Sequence, residues 1–319
     1  MKSKIKDRKS TVESPQSRLK RDKPAIRMPH FLEYDPESTG NPDAPYAVLP
    51  VPYERTVSFG RGTANAPRAI LDASKEIERF DEELLLAPGL RVQTLPEIDC
   101  RHDSEEKTLA ALLEAARAVT ARHRFLMTFG GEHTITTPLV DAARATWDSL
   151  CVLHIDAHLD LRDEFRGSRL SHACVMRRVL ELDVPAVHVG IRSLCEEEYR
   201  LVVERDISVF WARDIVGTGD DSWIEKIVAR LARHVYISLD ADGLDPAVMP
   251  GTGTPEPGGL SWHAITSLLR RVCAERTVVA ADLVEVAPIP GTPVCEYTAA
   301  RLAAKLMTYH VLHSDRHSS

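Results

Sequence analysis

Apolar residues along this chain gather into short runs, rich in β-branched and aromatic side chains, that alternate with longer stretches of helical periodicity. The runs fall at 45–51, 125–129, 151–155, 186–190, 207–211, 235–239 and 277–284. They are nearly continuous in apolar character, as expected of strands buried on both faces. Between them, spacing and composition predict helices over 67–78, 105–121, 136–147, 171–182, 196–204, 221–232, 261–274 and 294–312. Pro67 suits a first helical position, where its missing N–H costs nothing. This β/α rhythm predicts an α/β fold of three layers, with helices on both faces of a mostly parallel central sheet. The predicted organisation is a basic tail over residues 1–28 and a single domain over 29–319.

Three of the apolar runs are followed at once by polar clusters. The first run leads into Gly130-Gly-Glu-His133, the second into Asp156-Ala-His-Leu-Asp160, and the third into Ser238-Leu-Asp-Ala-Asp242. A single Asp-x-His-x-Asp is weak evidence, because alternating polar residues at a strand end often just face solvent. Three strands delivering the same residue types change that reading. Ligands of open α/β sheets bind beyond the carboxyl ends of the strands, so the three clusters meet at one edge. Together they supply two imidazoles, His133 and His158, and four carboxylates, Asp156, Asp160, Asp240 and Asp242. That is more than one ion needs. It suits two hard divalent cations sharing bridging carboxylates, a pair that generates a hydroxide nucleophile at neutral pH. The predicted chemistry is hydrolysis.

Composition removes several other classes. The 319 residues carry a formal net charge of -7. Residues 1–28 hold ten Lys/Arg against three Asp/Glu, a net of +7, which leaves -14 for the remainder. An acidic body argues against nucleic acid as a partner. The basic start has no apolar core segment and is not a secretory signal. No run reaches the length of a membrane span, so a cytoplasmic protein without membrane contact is expected. Six cysteines without Cys-x-x-Cys spacing fit buried free thiols in a reducing compartment. The Gly-rich loop Ser58-Phe-Gly-Arg-Gly-Thr63 lacks a Gly-Lys-Ser/Thr ending and is not a phosphate-binding loop.

In this order the three clusters resemble the patterns of the ureohydrolase family, which comprises arginase, agmatinase and their relatives. The third cluster runs on as Asp240-Ala-Asp-Gly-Leu-Asp-Pro246 and Pro250-Gly-Thr-Gly-Thr-Pro-Glu-Pro-Gly-Gly259, and a fourth match is Asp282-Leu-Val-Glu-Val-Ala-Pro288. The resemblance covers roughly residues 44–312. It implies a binuclear manganese site, with nickel or another divalent ion as alternatives. It also implies that Asp156 and Asp240 bridge the two ions. His133 and Asp160 then complete one ion's ligands, and His158 and Asp242 the other's. Homo-oligomers, trimers or hexamers, are implied as well. Glu285 follows the last predicted strand on the same edge, where a carboxylate can hold a planar guanidinium by paired hydrogen bonds. His172 lies where the family places a proton-shuttling histidine. Position 132 is Glu where many members carry Asp, outside the ligand positions. His154 and His188, inside strands, read as core or edge residues and not as ligands, and Asp245 as support for the turn after the third cluster.

Substrate choice should lie in the loop Leu161-Arg-Asp-Glu-Phe-Arg-Gly-Ser-Arg169. Arginases usually carry Asn two residues past the third ligand, and Arg162 stands there instead. The sequence thus resembles the agmatinase branch, with agmatine, putrescine and urea as expected reactant and products. Asp163 and Glu164 can face a cationic tail. Arg162, Arg166 and Arg169 leave the loop at net +1, which keeps acid-bearing guanidines such as guanidinobutyrate, guanidinopropionate or arginine as alternatives. A binuclear phosphoesterase would need basic phosphate contacts beside the ions, and a silent regulatory relative would have lost ligands.

Overall fold

The computed structural model describes residues 28–33, 41–217 and 219–314. The basic segment predicted as a tail lies, Met28 apart, outside the described residues. Eight strands form one sheet: β1 (Tyr46–Val51), β2 (Val92–Thr94), β3 (Phe125–Gly130), β4 (Leu150–Ile155), β5 (Ala186–Ile191), β6 (Ser208–Trp211), β7 (His234–Asp240) and β8 (Thr277–Val284). Their spatial order is β2-β1-β3-β8-β7-β4-β5-β6, and every neighbouring pair is parallel. The helices are α1 (Ala66–Ala73), α2 (Glu105–Thr120), α3 (Thr136–Arg144), α4 (Val175–Glu181), α5 (Glu196–Arg205), α6 (Ala212–Ile215), α7 (Ser222–Arg230), α8 (Trp262–Glu275) and α9 (Val294–Ser314).

The two-residue period of the strands divides the core in two. Phe125, Met127 and Phe129 of β3, Leu153 and Ile155 of β4, and Val235, Ile237 and Leu239 of β7 face a layer built from α1, α7, α8 and α9. Leu126, Val152 and Tyr236 face the other layer, with α2, α3 and α4. This is the expected α/β/α sandwich. On that second face the alternation also brings polar side chains inward: His154, His188, Ser238 and Asp282 are all buried. β7 and β8 pair Ser238 directly with Asp282.

Two expectations change. The helix predicted over 67–78 ends at Ala73 and tightens into a 3-10 turn over Ser74–Glu76, where the Ser74 hydroxyl donates to the Leu71 carbonyl and accepts the Leu32 amide. The helix predicted from 171 opens as a 3-10 turn over His172–Cys174 before α4 begins.

The chain leaves β3 for β4 three places away, and β8 and β7 later fill the gap. The four central strands β3, β8, β7 and β4 are therefore the ones whose carboxyl ends carry the polar clusters. Among the described residues, no helix is long and apolar enough to cross a membrane.

Candidate metal centre

His133 lies three residues past β3, in a turn that the backbone of Gly131 makes possible. The Gly131 amide donates to Val51 and the Glu132 amide to Tyr53. A Cβ on Gly131 would stand 2.0 Å from the Tyr53 carbonyl oxygen, so the close approach requires glycine. Asp156 and Asp240 sit at the ends of β4 and β7, and both are buried. Asp160 adopts φ 52, with its carbonyl held by the Met176 and Arg177 amides at the start of α4.

Hydrogen bonds from below set the protonation of His133. Its Nε2 lies 2.8 Å from the Ser238 hydroxyl, which is 2.7 Å from Asp282 Oδ1. Tyr236 and Thr136 donate to Asp282 Oδ2 at 2.6 and 2.8 Å. The Ser238 proton goes to the carboxylate, so Ser238 accepts from His133 Nε2–H. In the neutral ring the lone pair is then on Nδ1. That nitrogen is buried and has no hydrogen-bond partner. Asp156 Oδ2, Asp160 Oδ2 and Asp240 Oδ2 each stand 3.2 Å from it. Ligands about 2.1 Å from one ion and at right angles stand about 3 Å apart, so these four atoms have the spacing of a coordination shell. An orphaned imidazole nitrogen among three carboxylate oxygens fits a divalent cation.

A second group adjoins the first. His158 Nδ1 lies 3.1 Å from Asp242 Oδ2 and 3.5 Å from Asp156 Oδ1. Asp156 thus turns one oxygen to each group, the arrangement a bridging carboxylate needs. Asp240 faces the first group by Oδ2, while its Oδ1 accepts the Asp242 amide at 2.9 Å. Arg192 fastens this segment from outside by donating to the carbonyls of Asp242 and Glu256 at 2.5 and 2.7 Å. Asp245 braces the following turn by accepting the amides of Ala247, Gly258 and Gly259.

His154 also comes within ligand spacing of His133, Asp156 and Asp160. Both its ring nitrogens are engaged, Nε2 with Asp156 Oδ2 and Nδ1 with His188 Nδ1, each at 2.8 Å. It is a core residue that orients Asp156.

Electrostatics point the same way. Burial works against a charged His133, yet Asp156, Asp160 and Asp240 hold it well above the usual imidazole range. The cage therefore favours positive charge at its centre. Burial and the neighbouring Asp156 push Asp160 up to about 6. Burial and then Asp242 and Asp156 raise Asp240 well above the carboxylate range. Such crowding is relieved by cations.

Glu285 directly follows β8, in the left-handed region at φ 59. Its Oε1 accepts the His133 amide at 2.8 Å, and its own amide donates to Gly131 at 2.7 Å. Burial, with Glu132 nearby, holds its carboxyl well above the usual range. The Gly60 amide donates to the Gly253 carbonyl at 3.1 Å, and a Cβ added at Gly253 would stand 3.8 Å from Glu285 Oε2. His172 Nδ1 lies 3.1 Å from the Thr56 hydroxyl. Burial, then the neighbouring His133 and His158, lower His172 to about 4, which favours the neutral ring.

In the substrate loop, Asp163 is held by Arg178 and Arg169 at 2.7 and 2.8 Å. The guanidinium groups of Arg162 and Arg166 lie 5.1 and 5.2 Å from the Phe165 ring centre. Arg166 also donates to the Ser58 carbonyl at 3.0 Å. Glu164 is exposed and, among the described residues, has no ion-pair or hydrogen-bond partner. Sequence reasoning gave no role to Ser238, Asp282, Thr136 or Thr56. A buried Asp inside the apolar run of β8 was the one available signal.

Comparison with known proteins agrees with this geometry. The model of the arginase family matches residues 44–312. The N(1)-aminopropylagmatine ureohydrolase of Synechocystis sp. is 41% identical over 287 residues, covering 88% of this chain and 93% of its own. The enzyme of the same name from Thermus thermophilus is 39% identical over 279 residues, covering 86% and 92%. The crystal structure of agmatine ureohydrolase of Thermoplasma volcanium superposes with a TM-score of 0.76 at 30% identity, over 86% of this chain and 93% of that one. By sequence and by fold, the chain belongs to the arginase family.

Proposed function

We propose that this arginase-family enzyme hydrolyses the guanidino group of an amine-tailed guanidine to urea and an amine. N(1)-aminopropylagmatine is the first substrate and agmatine the second. The observation that carries the hydrolysis is the His133 Nδ1 lone pair facing three carboxylate oxygens at 3.2 Å, beside a second group that shares Asp156. His133, Asp156, Asp160 and Asp240 would hold one ion, and Asp156, His158, Asp240 and Asp242 the other. The carboxylate-rich set favours Mn²⁺ over Zn²⁺, which draws more His and Cys. A bound pair supplies a water acidified enough to attack at neutral pH.

The chain's own residues do the rest. Glu285 Oε2, with the second lone pair of Oε1, receives the planar guanidinium and turns its carbon to the cluster. Oxygen from water adds to that carbon, and the bond to the amine nitrogen breaks. Neutral His172 is suited to take a proton and return it to the leaving nitrogen, which departs as an amine with urea left behind.

The agmatine expected from sequence gives way to its aminopropyl derivative because two similar relatives carry that name. The loop supports a cationic tail. Arg169 and Arg178 are tied to Asp163, Arg166 is turned to Ser58, and Glu164 stands exposed. A homo-oligomer, trimer or hexamer, working in the cytoplasm completes the proposal. Urea release from N(1)-aminopropylagmatine, agmatine, arginine, guanidinobutyrate and guanidinopropionate, compared side by side, tests it. We expect kcat/KM for the two amine-tailed substrates to exceed the acid-bearing ones by about 100-fold or more, the scale of a site that pairs a charged group. Preference for guanidinobutyrate would give the loop to Arg162 and refute the cationic-tail assignment.

A further inference from the structure

Glu132 is fully buried one residue before a metal-site histidine, and it does not face the cluster through hydrogen bonds. Its carboxylate reaches back to the loop after β1. Oε1 accepts backbone amides from Arg55, Thr56 at 2.6 Å and Val57 at 3.1 Å. Oε2 lies 2.5 Å from the Thr56 hydroxyl. Burial raises the Glu132 carboxyl, and the hydrogen bonds from Thr56, Arg55 and Val57 oppose that rise. Three backbone N–H donors on one oxygen and a short O–H···O contact on the other are the geometry of a carboxylate acceptor. The single Thr56 proton is therefore committed to Glu132.

That commitment leaves the Thr56 oxygen with lone pairs alone for its other neighbours. There are two, both from His172: the backbone amide at 3.1 Å and ring Nδ1 at 3.1 Å. An oxygen whose own proton points elsewhere can meet Nδ1 favourably only if Nδ1 carries the hydrogen. The Ser171 hydroxyl, at 3.5 Å from the same nitrogen, is a weaker competitor. On the ring's other side, Nε2 has no hydrogen-bond partner among the described residues. Phe165 stands edge-on to the ring, 6.1 Å between centres.

We propose that Glu132, acting through the Thr56 hydroxyl, fixes His172 as the tautomer with its proton on Nδ1 and a bare Nε2. Thr56 and Glu132 are then positioning residues for the histidine that moves protons in the proposed hydrolysis, and the inference rests on that reading for its catalytic consequence. A neutral imidazole can take up a proton at the nitrogen that is bare. The anchor below decides which nitrogen that is.

The test uses full-length protein with ¹⁵N-labelled histidine, loaded with diamagnetic Mg²⁺, and His172 assigned by its loss in His172→Gln. Ring ¹⁵N shifts should show an Nδ1–H tautomer in the parent. Thr56→Val keeps the shape and removes the hydroxyl. It should move the ring toward Nε2–H and lower kcat about tenfold with KM little changed, a fraction of the 10²–10⁴ that general acid–base catalysis supplies. Thr56→Ser should restore both readouts, which a merely structural role for the threonine methyl would not allow. An Nε2–H ring in the parent, or an unchanged tautomer in Thr56→Val, would overturn the proposal. A tautomer that switches while kcat stays unchanged would uphold the positioning chain and refute His172 as the proton carrier.

Discussion

Replacing Asp156 by Asn should abolish both metal groups at once and lower kcat/KM on the order of 10⁴-fold, roughly 5–6 kcal/mol of transition-state stabilisation. Asp156 is the side chain with an oxygen toward each group, 3.2 Å from His133 Nδ1 and 3.5 Å from His158 Nδ1. Although burial opposes its charge, His154, His133 and His158 hold its carboxyl well below the usual range, so the ionised form is the one built into the site. Asn has nearly the same volume and keeps one acceptor. It lacks the charge that two cations share and offers an NH₂ group where a ligand oxygen belongs. The fold should persist, because the strands around the position are packed on both faces independently of it. Metal content and urea release measured on the same preparation check the result. Asp156→Asn that binds two ions and turns over at the parental rate would remove the basis for reading these clusters as one binuclear centre.

Glu285→Gln should behave differently, keeping the metal and losing the substrate. The His133 amide can still be accepted by a glutamine carbonyl, so the ligand turn stays in place. What disappears is the negative charge that Glu285, its carboxyl raised by burial, takes on in pairing with a guanidinium, together with one acceptor of the fork. The expected cost is about 10²–10³-fold in kcat/KM, comparable to removing one preorganised electrostatic contact. Both kcat and KM should suffer, because the same contact binds the cation and orients its carbon. Calorimetric titration with the divalent ion should give parental stoichiometry. Loss of metal in Glu285→Gln would mean that the residue supports the ligand turn and does not hold substrate.

Much of the fold and of the ligand set is legible in the sequence. The ligand clusters announce themselves because each follows a buried strand without a break, and parallel strands put their carboxyl ends on one edge. β8 occupies 277–284, the span its largely apolar run predicts, with Asp282 inside it. What resisted reading has physical causes. β2 has three residues at the sheet edge, too few to show alternation. α6 is a single turn.

The supporting polar network was hidden for another reason. A lone Ser or Asp inside an apolar run looks like a flaw in the strand. Ser238 and Asp282 become partners only when β7 and β8 pair in the observed register. Thr56 lies 76 residues from Glu132 and 116 from His172. No local pattern reports such a meeting. The substrate loop was legible as a loop, but its charges could not be sorted. The ion pairs of Asp163 depend on where α4 places Arg178.

The central claim is that two divalent ions sit in one carboxylate cage and that hydrolysis needs both. Mn²⁺ titrated into metal-free protein, with bound metal counted and urea release from N(1)-aminopropylagmatine and agmatine measured at each point, addresses it directly. The geometry predicts two ions per chain, with full activity reached as the second is filled. Saturation at one ion with full turnover, or two bound ions with no urea from any guanidine, would contradict it.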